Sequence, residues 1–229
     1  MAIVPAQCWL RTFKITAGTH SATCFVISRH DRQWMITAKH FIDGALPSGG
    51  GSMTLHRHQG DINEQCQPQR IPLTRPGADI AVFSVGDTHL VDESMTLIPS
   101  ADGVILSQGV FFLGYPLTDR VPVLVTLPLV KHGILYQHAM SNDVHVWWVD
   151  GMYNPGFPGG PVVFNSGGGI GTIWHVLGVV TGYVTQEIAV ADGAGLVPAN
   201  SGIIVVYDIK HATDAIDAFV GQTPPTQTT

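Results

Sequence analysis

Tyr153-Asn154-Pro155-Gly156-Phe157-Pro158-Gly159-Gly160-Pro161 is a glycine-rich loop that leads directly into an apolar run, residues 161–164. Glycines on both sides of Pro158 give the turn a backbone freedom that other residues lack, and such a turn can hold one side chain out into the open. The residue it holds out here is a proline. Proline has no hydroxyl with which to attack a substrate and no backbone N–H to donate. Its ring also fixes φ and restricts Phe157 before it.

The rest of the chain has the texture of a β protein. Of 229 residues, 45% are hydrophobic and only 12% charged, and 26 glycines and 15 prolines break the chain into short apolar runs. Such runs, bounded by turn residues, recur at 9–15, 22–28, 33–37, 52–55, 79–85, 110–113, 121–126, 133–137, 144–149, 161–164, 173–180 and 202–207. A helical pattern is clear only near the end. There Ile209, Ala212, Ile216 and Phe219 share one face, Asp208 is placed to cap the start and Gly221 to stop the helix. The tail that follows is rich in Pro and Thr and reads as a linker.

Composition also excludes several partners. The net charge is −6, with only 11 Lys plus Arg, so the basic footprint of a nucleic-acid binder is missing. No apolar run approaches the ~18 residues of a membrane span, and no secretory leader is evident at the N-terminus. These features fit a chain working in a cytoplasm or in the interior of a virus-infected cell. Cys8, Cys24 and Cys66 match neither a disulfide framework nor a zinc cluster and read as buried free thiols. His56-Arg57-His58, with Asp61 and Cys66 nearby, could bring two imidazoles to one face of a strand, but it reads as a solvated strand and loop. No cofactor and no metal ion is expected.

Two further motifs precede the Pro158 loop. Thr37-Ala38-Lys39-His40 ends an apolar run in a histidine, and Asp79-Ile80-Ala81 opens another with an aspartate. In this order the three segments resemble the trypsin-like, chymotrypsin-fold serine peptidases, in the compact form of bacteria and viruses, over about residues 9–220. His40 matches the family's T-A-x-H, Asp79 its D-I-A, and Gly156–Pro161 its G-x-S-G-G-P, with Pro158 where the serine belongs. Residues 24–28, 112–116 and 177–182 add further echoes.

The resemblance implies an all-β fold of two six-stranded antiparallel barrels with a short C-terminal helix. The N-terminal barrel would span residues 1–105 and carry His40 and Asp79. The C-terminal barrel would span 106–221 and carry the Pro158 loop, leaving 222–229 as a flexible tail. In such a site the histidine takes the serine's proton, the aspartate orients the histidine, and two backbone N–H groups hold the oxyanion. By the same resemblance the oxyanion donors would be Gly156 and the nucleophile itself, and the substrate cleft would involve Met152, Phe157, Thr181 and Gly182. Pro158 removes the nucleophile and one donor together. The sequence therefore reads as a catalytically inactive protease homologue that retains its cleft for a protein or extended peptide. Its alternatives are an active serine-type endopeptidase, as the parent of a Pro158 variant or with an unrecognised nucleophile, and a structural subunit of a larger assembly. Among other hydroxyls and thiols, Ser166 reads as part of a hairpin loop after the 161–164 run, and Cys24, Thr172 and Thr181 lie outside any glycine-cradled turn.

Overall fold

The computed structural model describes residues 3–46, 52–56, 63–66, 68–116, 127–167, 173–189 and 195–222. A short helix, α1 (Ala6–Trp9), precedes strands β1 (Thr12–Ala17), β2 (His20–Arg29) and β3 (Arg32–Ala38). Helix α2 (Lys39–Ala45) follows, then β4 (Met53–His56), β5 (Asn63–Cys66), β6 (Gln69–Ile71) and β7 (Ile80–Ser84). These strands form one sheet in the order β5-β4-β1-β2-β3-β7-β6. Only residues 67 and 68 separate β5 from β6 in sequence, yet β5 pairs with β4 and β6 with β7, at opposite edges. That one stretch of chain joins the two edges, so the sheet curls into a barrel whose sixth strand is split into two pieces.

The second sheet contains β8 (Ile98–Pro99), β9 (Gly109–Gly114), β10 (Leu129–Ser141), β11 (Val144–Asp150), β12 (Pro161–Asn165), β13 (Trp174–Ala189) and β14 (Leu196–Asp208). Pairing of β12 with both β9 and β13 closes six of these strands into a ring. The seventh, β8, adds in parallel to β13 outside the ring. The fold is thus the expected pair of six-stranded β-barrels; among the described residues each sheet has a seventh strand, a piece of the split sixth strand in the first and β8, outside the ring, in the second. Helix α3 (Lys210–Gln222) completes the chain.

Strand alternation explains how the barrels are joined. On β3, Met35 belongs to the core of the first barrel, whereas Trp34 and Ile36 point to the other face and pack with Val176, Val179, Ile209 and Ile216. The same split occurs on β2, with Val26 on one side and Phe25 and Ile27 on the other, and on β7 between Phe83 and Val82. Successive strand residues face opposite sides, so a strand buried on both faces needs a continuous apolar run. These three strands form the wall between barrels. The second barrel has its own core around Val110, Phe112, Leu135, Val149, Phe164 and Leu177.

Several local expectations change. The apolar run into His40 is not a strand throughout: β3 ends at Ala38 and His40 lies in the first turn of α2. The run from Trp9 likewise begins at the end of α1, and its strand starts only at Thr12. In α3, Asp208 caps the helix, its Oδ1 accepting from the Lys210 N–H at 2.7 Å, but the helix runs through Gly221 to Gln222. A terminal glycine permits a stop without enforcing one. Phe219 holds this last turn in place, meeting the Trp34 ring edge-on at 6.0 Å. Cys8 and Cys24 are buried, and neither forms a disulfide among the described residues. The expected strand at 121–126 and the triplet partners Arg57, His58 and Asp61 lie outside the described residues.

Candidate active site

The Pro158 loop is built from two successive tight turns. In Asn154–Phe157 the Phe157 N–H donates to the Asn154 carbonyl at 3.3 Å, and in Phe157–Gly160 the Gly160 N–H donates to the Phe157 carbonyl at 2.9 Å. Each turn has proline at its second position and glycine at its third, with φ +102° at Gly156 and +84° at Gly159. Proline cannot adopt positive φ, so a turn with Pro then a positive-φ Gly is type II. Proline is a favoured residue at that second position. Pro158 therefore fits the backbone it occupies.

The N-terminal barrel grips this loop through Thr23 of β2, a residue that stands in no motif. Its N–H donates to the Pro158 carbonyl at 3.0 Å, and its hydroxyl donates to the Gly156 carbonyl at 2.7 Å. On the other side the Gly159 N–H donates to the Val180 carbonyl at 2.7 Å, and the Val180 N–H to the Gly160 carbonyl at 2.9 Å. Lys131 of β10 ties down the approach to the loop: its Nζ donates to the Met152 carbonyl at 2.9 Å and to Asn154 Oδ1. A lone lysine in a strand carries no sequence signal for that role.

Gly159 sits where Thr23, Thr37 and Ala38 converge, so the loop packs against the last residues of β3, two positions before His40. There the His40 ring and Asp79 are paired. Nδ1 of His40 lies 2.7 Å from Asp79 Oδ2, and the His40 backbone N–H donates to Asp79 Oδ1 at 2.8 Å. Asp79 thus uses both oxygens on one residue, which fixes the ring's position and leaves Nε2 outward. The histidine side chain is half exposed and the carboxylate about a quarter exposed.

The hydrogen bond that His40 donates to Asp79 raises the pKa of His40 above its ordinary value, overcoming partial burial that acts the other way. A raised folded-state pKa means that the protonated ring is the better-held form. The pair's contribution to stability is therefore complete below the ordinary histidine pKa and is lost as pH rises through the raised one. In a ring-proton NMR titration His40 should change charge above the usual histidine midpoint, and Asp79→Asn should move that midpoint down. An unchanged midpoint in the variant would show that Asp79 does not control the ring.

The remaining expected site residues are distributed differently. The Gly156 N–H forms no hydrogen bond with another described residue and is available as a donor. Phe157 is fully buried and meets Phe112 at 5.1 Å, so it belongs to the core beneath the loop and cannot line an open cleft. Met152 is exposed, Thr181 is buried with its hydroxyl 3.4 Å from the Val205 carbonyl, and a side chain at Gly182 would meet open space. Ser166 follows β12 in the expected loop, and its hydroxyl lies 2.7 Å from His175 Nε2. Cys24 is sealed in the first barrel, and Thr172 is outside the described residues.

Chemically, a hydroxyl presented to His40 Nε2 could lose its proton to a ring already oriented by a carboxylate. Pro158, at the second position of the loop's second turn, carries no hydroxyl. Solved structures share this fold. The structure of Rv3671c from M. tuberculosis H37Rv, a serine-to-alanine mutant in an inactive form, superposes with a TM-score of 0.58 at 19% identity, over 94% of this chain and 89% of that one. The HtrA-type protease AlgW with tripeptide gives 0.61 at 16% identity, over 94% of this chain and 62% of AlgW, so this chain spans less than two thirds of AlgW's length. Deg5 gives 0.52 at 18% identity, over 75% of this chain and 79% of that one. No curated protein sequence matches. At such identities the likeness speaks for the fold alone. The family model described as trypsin-like peptidase domain matches residues 22–171, a span that holds His40, Asp79 and the Pro158 loop together. By that match the chain belongs to the trypsin-like peptidase domain family.

Proposed function

We propose that this chain is a catalytically inactive member of its family, retained to bind a protein or extended peptide along the cleft between the barrels. The observation that carries this reading is Pro158 in a glycine-flanked loop that packs, through Gly159, on the end of β3, two residues before the paired His40 and Asp79. In this reading His40 and Asp79 are surviving members of the catalytic triad, Gly156 is the surviving oxyanion donor, and the barrels divide near residue 105. Loss of the nucleophile leaves about 10³–10⁴-fold catalysis over water, drawn largely from the oxyanion hole and binding. Loss of one oxyanion donor removes about another 10²–10³-fold. Little is left for turnover.

The edge of β13 supports the binding half of the proposal. Along 174–179 this strand pairs with β12, and at Val180 it is held by the Pro158 loop. Beyond that point, from Thr181 to Tyr183, its only strand partner among the described residues is β14. Among the described residues the opposite edge has no strand partner, and a strand added there would recognise an extended peptide by its backbone and choose among sequences by side-chain pockets. AlgW, which shares the fold, is described with a tripeptide.

Selection of peptides from a random library, followed by mass analysis of the bound fraction, tests the proposal. The chain should retain extended peptides and return them intact. Gly182→Arg, at a position with no atom near its Cβ, should keep the melting temperature and weaken the selected peptides by about tenfold or more, the scale of one lost interface contact of 1.4 kcal/mol. Cleaved peptides, or affinity indifferent to Gly182→Arg, would count against it.

One observation favours a second reading, an endopeptidase with a different nucleophile: the 2.7 Å contact of Ser166 Oγ with His175 Nε2. The pair lacks the third part of a triad, because His175 Nδ1 is buried without a hydrogen-bond partner and no carboxylate orients the ring. Locating any covalent probe on Ser166 or elsewhere separates the readings.

A further inference from the structure

We propose that His138 and His145 form a two-histidine site for a borderline transition-metal ion on the β10–β11 hairpin. The turn between these strands is Asn142-Asp143, with φ +51° and +60°. Two successive positive φ values define a type I′ turn, whose twist matches that of a hairpin and fixes its register. The register pairs Met140 with His145 and His138 with Trp147. Residues two apart share a face, so both imidazoles emerge on the same side of the ribbon.

They meet there at bonding distance. His145 Nδ1 lies 3.2 Å from His138 Nε2, with the rings stacked at 5.3 Å between centroids. Imidazole nitrogens bind zinc at about 2.0–2.1 Å. Two nitrogens 3.2 Å apart at that bond length subtend about 100° at a shared ion, between the octahedral and tetrahedral angles. The lone hydrogen between two neutral rings can move to the far nitrogen of its own ring as the ion enters, so no charge has to be created or removed.

The pair is held from both sides. Trp147 packs on the His138 ring at 4.2 Å, and its indole N–H donates to Asp208 Oδ2 at 2.8 Å. The His145 backbone N–H donates to His211 Nε2 at 2.9 Å, which anchors the hairpin to α3. Rigid support of this kind is what a small metal site requires. Among the described residues no set of three or more His, Cys, Asp or Glu side chains could hold a metal, so water fills the other positions. Imidazole suits copper, nickel and zinc, whereas magnesium and calcium prefer oxygen.

Trp147 supplies the readout. Titration of the full chain with Cu²⁺ or Ni²⁺ should quench part of the tryptophan fluorescence saturably, and calorimetry should show binding of Cu²⁺ more tightly than of Ni²⁺ or Zn²⁺. Mg²⁺ should do neither. Loss of an outer-shell partner already weakens a metal by about 10–100-fold, so His138→Ala, which removes an exposed ligand, should weaken binding at least tenfold. Trp147→Phe should abolish the quench, while calorimetry still shows saturable binding, weakened by loss of the Asp208 hydrogen bond that supports the pair. Absence of saturable binding, or affinity unchanged in His138→Ala while the variant melts like the parent, would overturn the site and assign any residual binding to others among the 11 histidines.

Discussion

Replacing Pro158 with serine should turn an inert chain into one that reacts with fluorophosphonates and cleaves peptides, at least about 10³-fold faster than the unaltered chain. The substitution restores two parts at one position. Serine brings back the hydroxyl, and its backbone N–H can join that of Gly156 to hold an oxyanion. The surroundings ask for little adjustment, because the Phe157–Gly160 turn is closed by its own hydrogen bond and by the φ of Gly159, and serine is compatible with the second position of a type II turn. Proline restricts the unfolded chain, so its loss should lower stability by about 0.4–1 kcal/mol. For a chain of this size that is a fall in melting temperature of roughly 1–4 °C. The reactivity gained should vanish when His40→Ala is added. A stable revertant that stays inert would show that Pro158 is not the reason for inactivity.

The largest loss of stability should come from Gly159→Ala. A Cβ there would lie 2.0 Å from the Thr23 carbonyl oxygen, 2.2 Å from Thr37 Oγ1 and 3.0 Å from the Ala38 nitrogen, at φ +84°. Two of these atoms belong to backbone in β2 and β3 and cannot turn aside as a flexible side chain would. The loop must lift from the first barrel or the strands must part. A cost above about 3 kcal/mol is expected, in the range reserved for strain and overpacking at buried backbone. The melting temperature should fall by roughly 6–12 °C. Gly182→Ala is the internal control. Its Cβ meets nothing within 4 Å, and a change within about 0.5 kcal/mol is expected. Equal melting temperatures for the two variants would contradict the packing described here.

The parts legible in the sequence are those written locally. The apolar runs of β2, β3 and β7 announce strands buried on both faces, and His40, Asp79 and the glycines around Pro158 each stand in a short motif whose order names the fold. Turn chemistry was equally local: Pro then Gly, twice, specifies the two type II turns. Thr23 and Lys131 were hidden because their roles depend on which strands face the loop, and one threonine or lysine among many carries no mark of that. Adjacency to the loop's turn does not reveal which way the Phe157 ring points; burial against Phe112 decides it. The histidine pair shows the same limit. Sequence proximity drew attention to His56 and its neighbours, where the Thr16 hydroxyl lies 3.0 Å from His56 Nε2, while His138 and His145 are seven residues apart and meet only through hairpin register. Helix ends followed the same rule, with Asp208 visible as a cap but Gly221 overridden by the packing of Phe219.

On the proposed function, the unaltered chain has no working nucleophile. The most direct test is incubation of that chain with a fluorophosphonate, followed by intact-mass measurement and peptide mapping. The predicted result is an unmodified mass, with Pro158→Ser gaining one adduct at residue 158 under the same conditions. A stoichiometric adduct on the unaltered chain, at Ser166 or any other residue, would contradict the account.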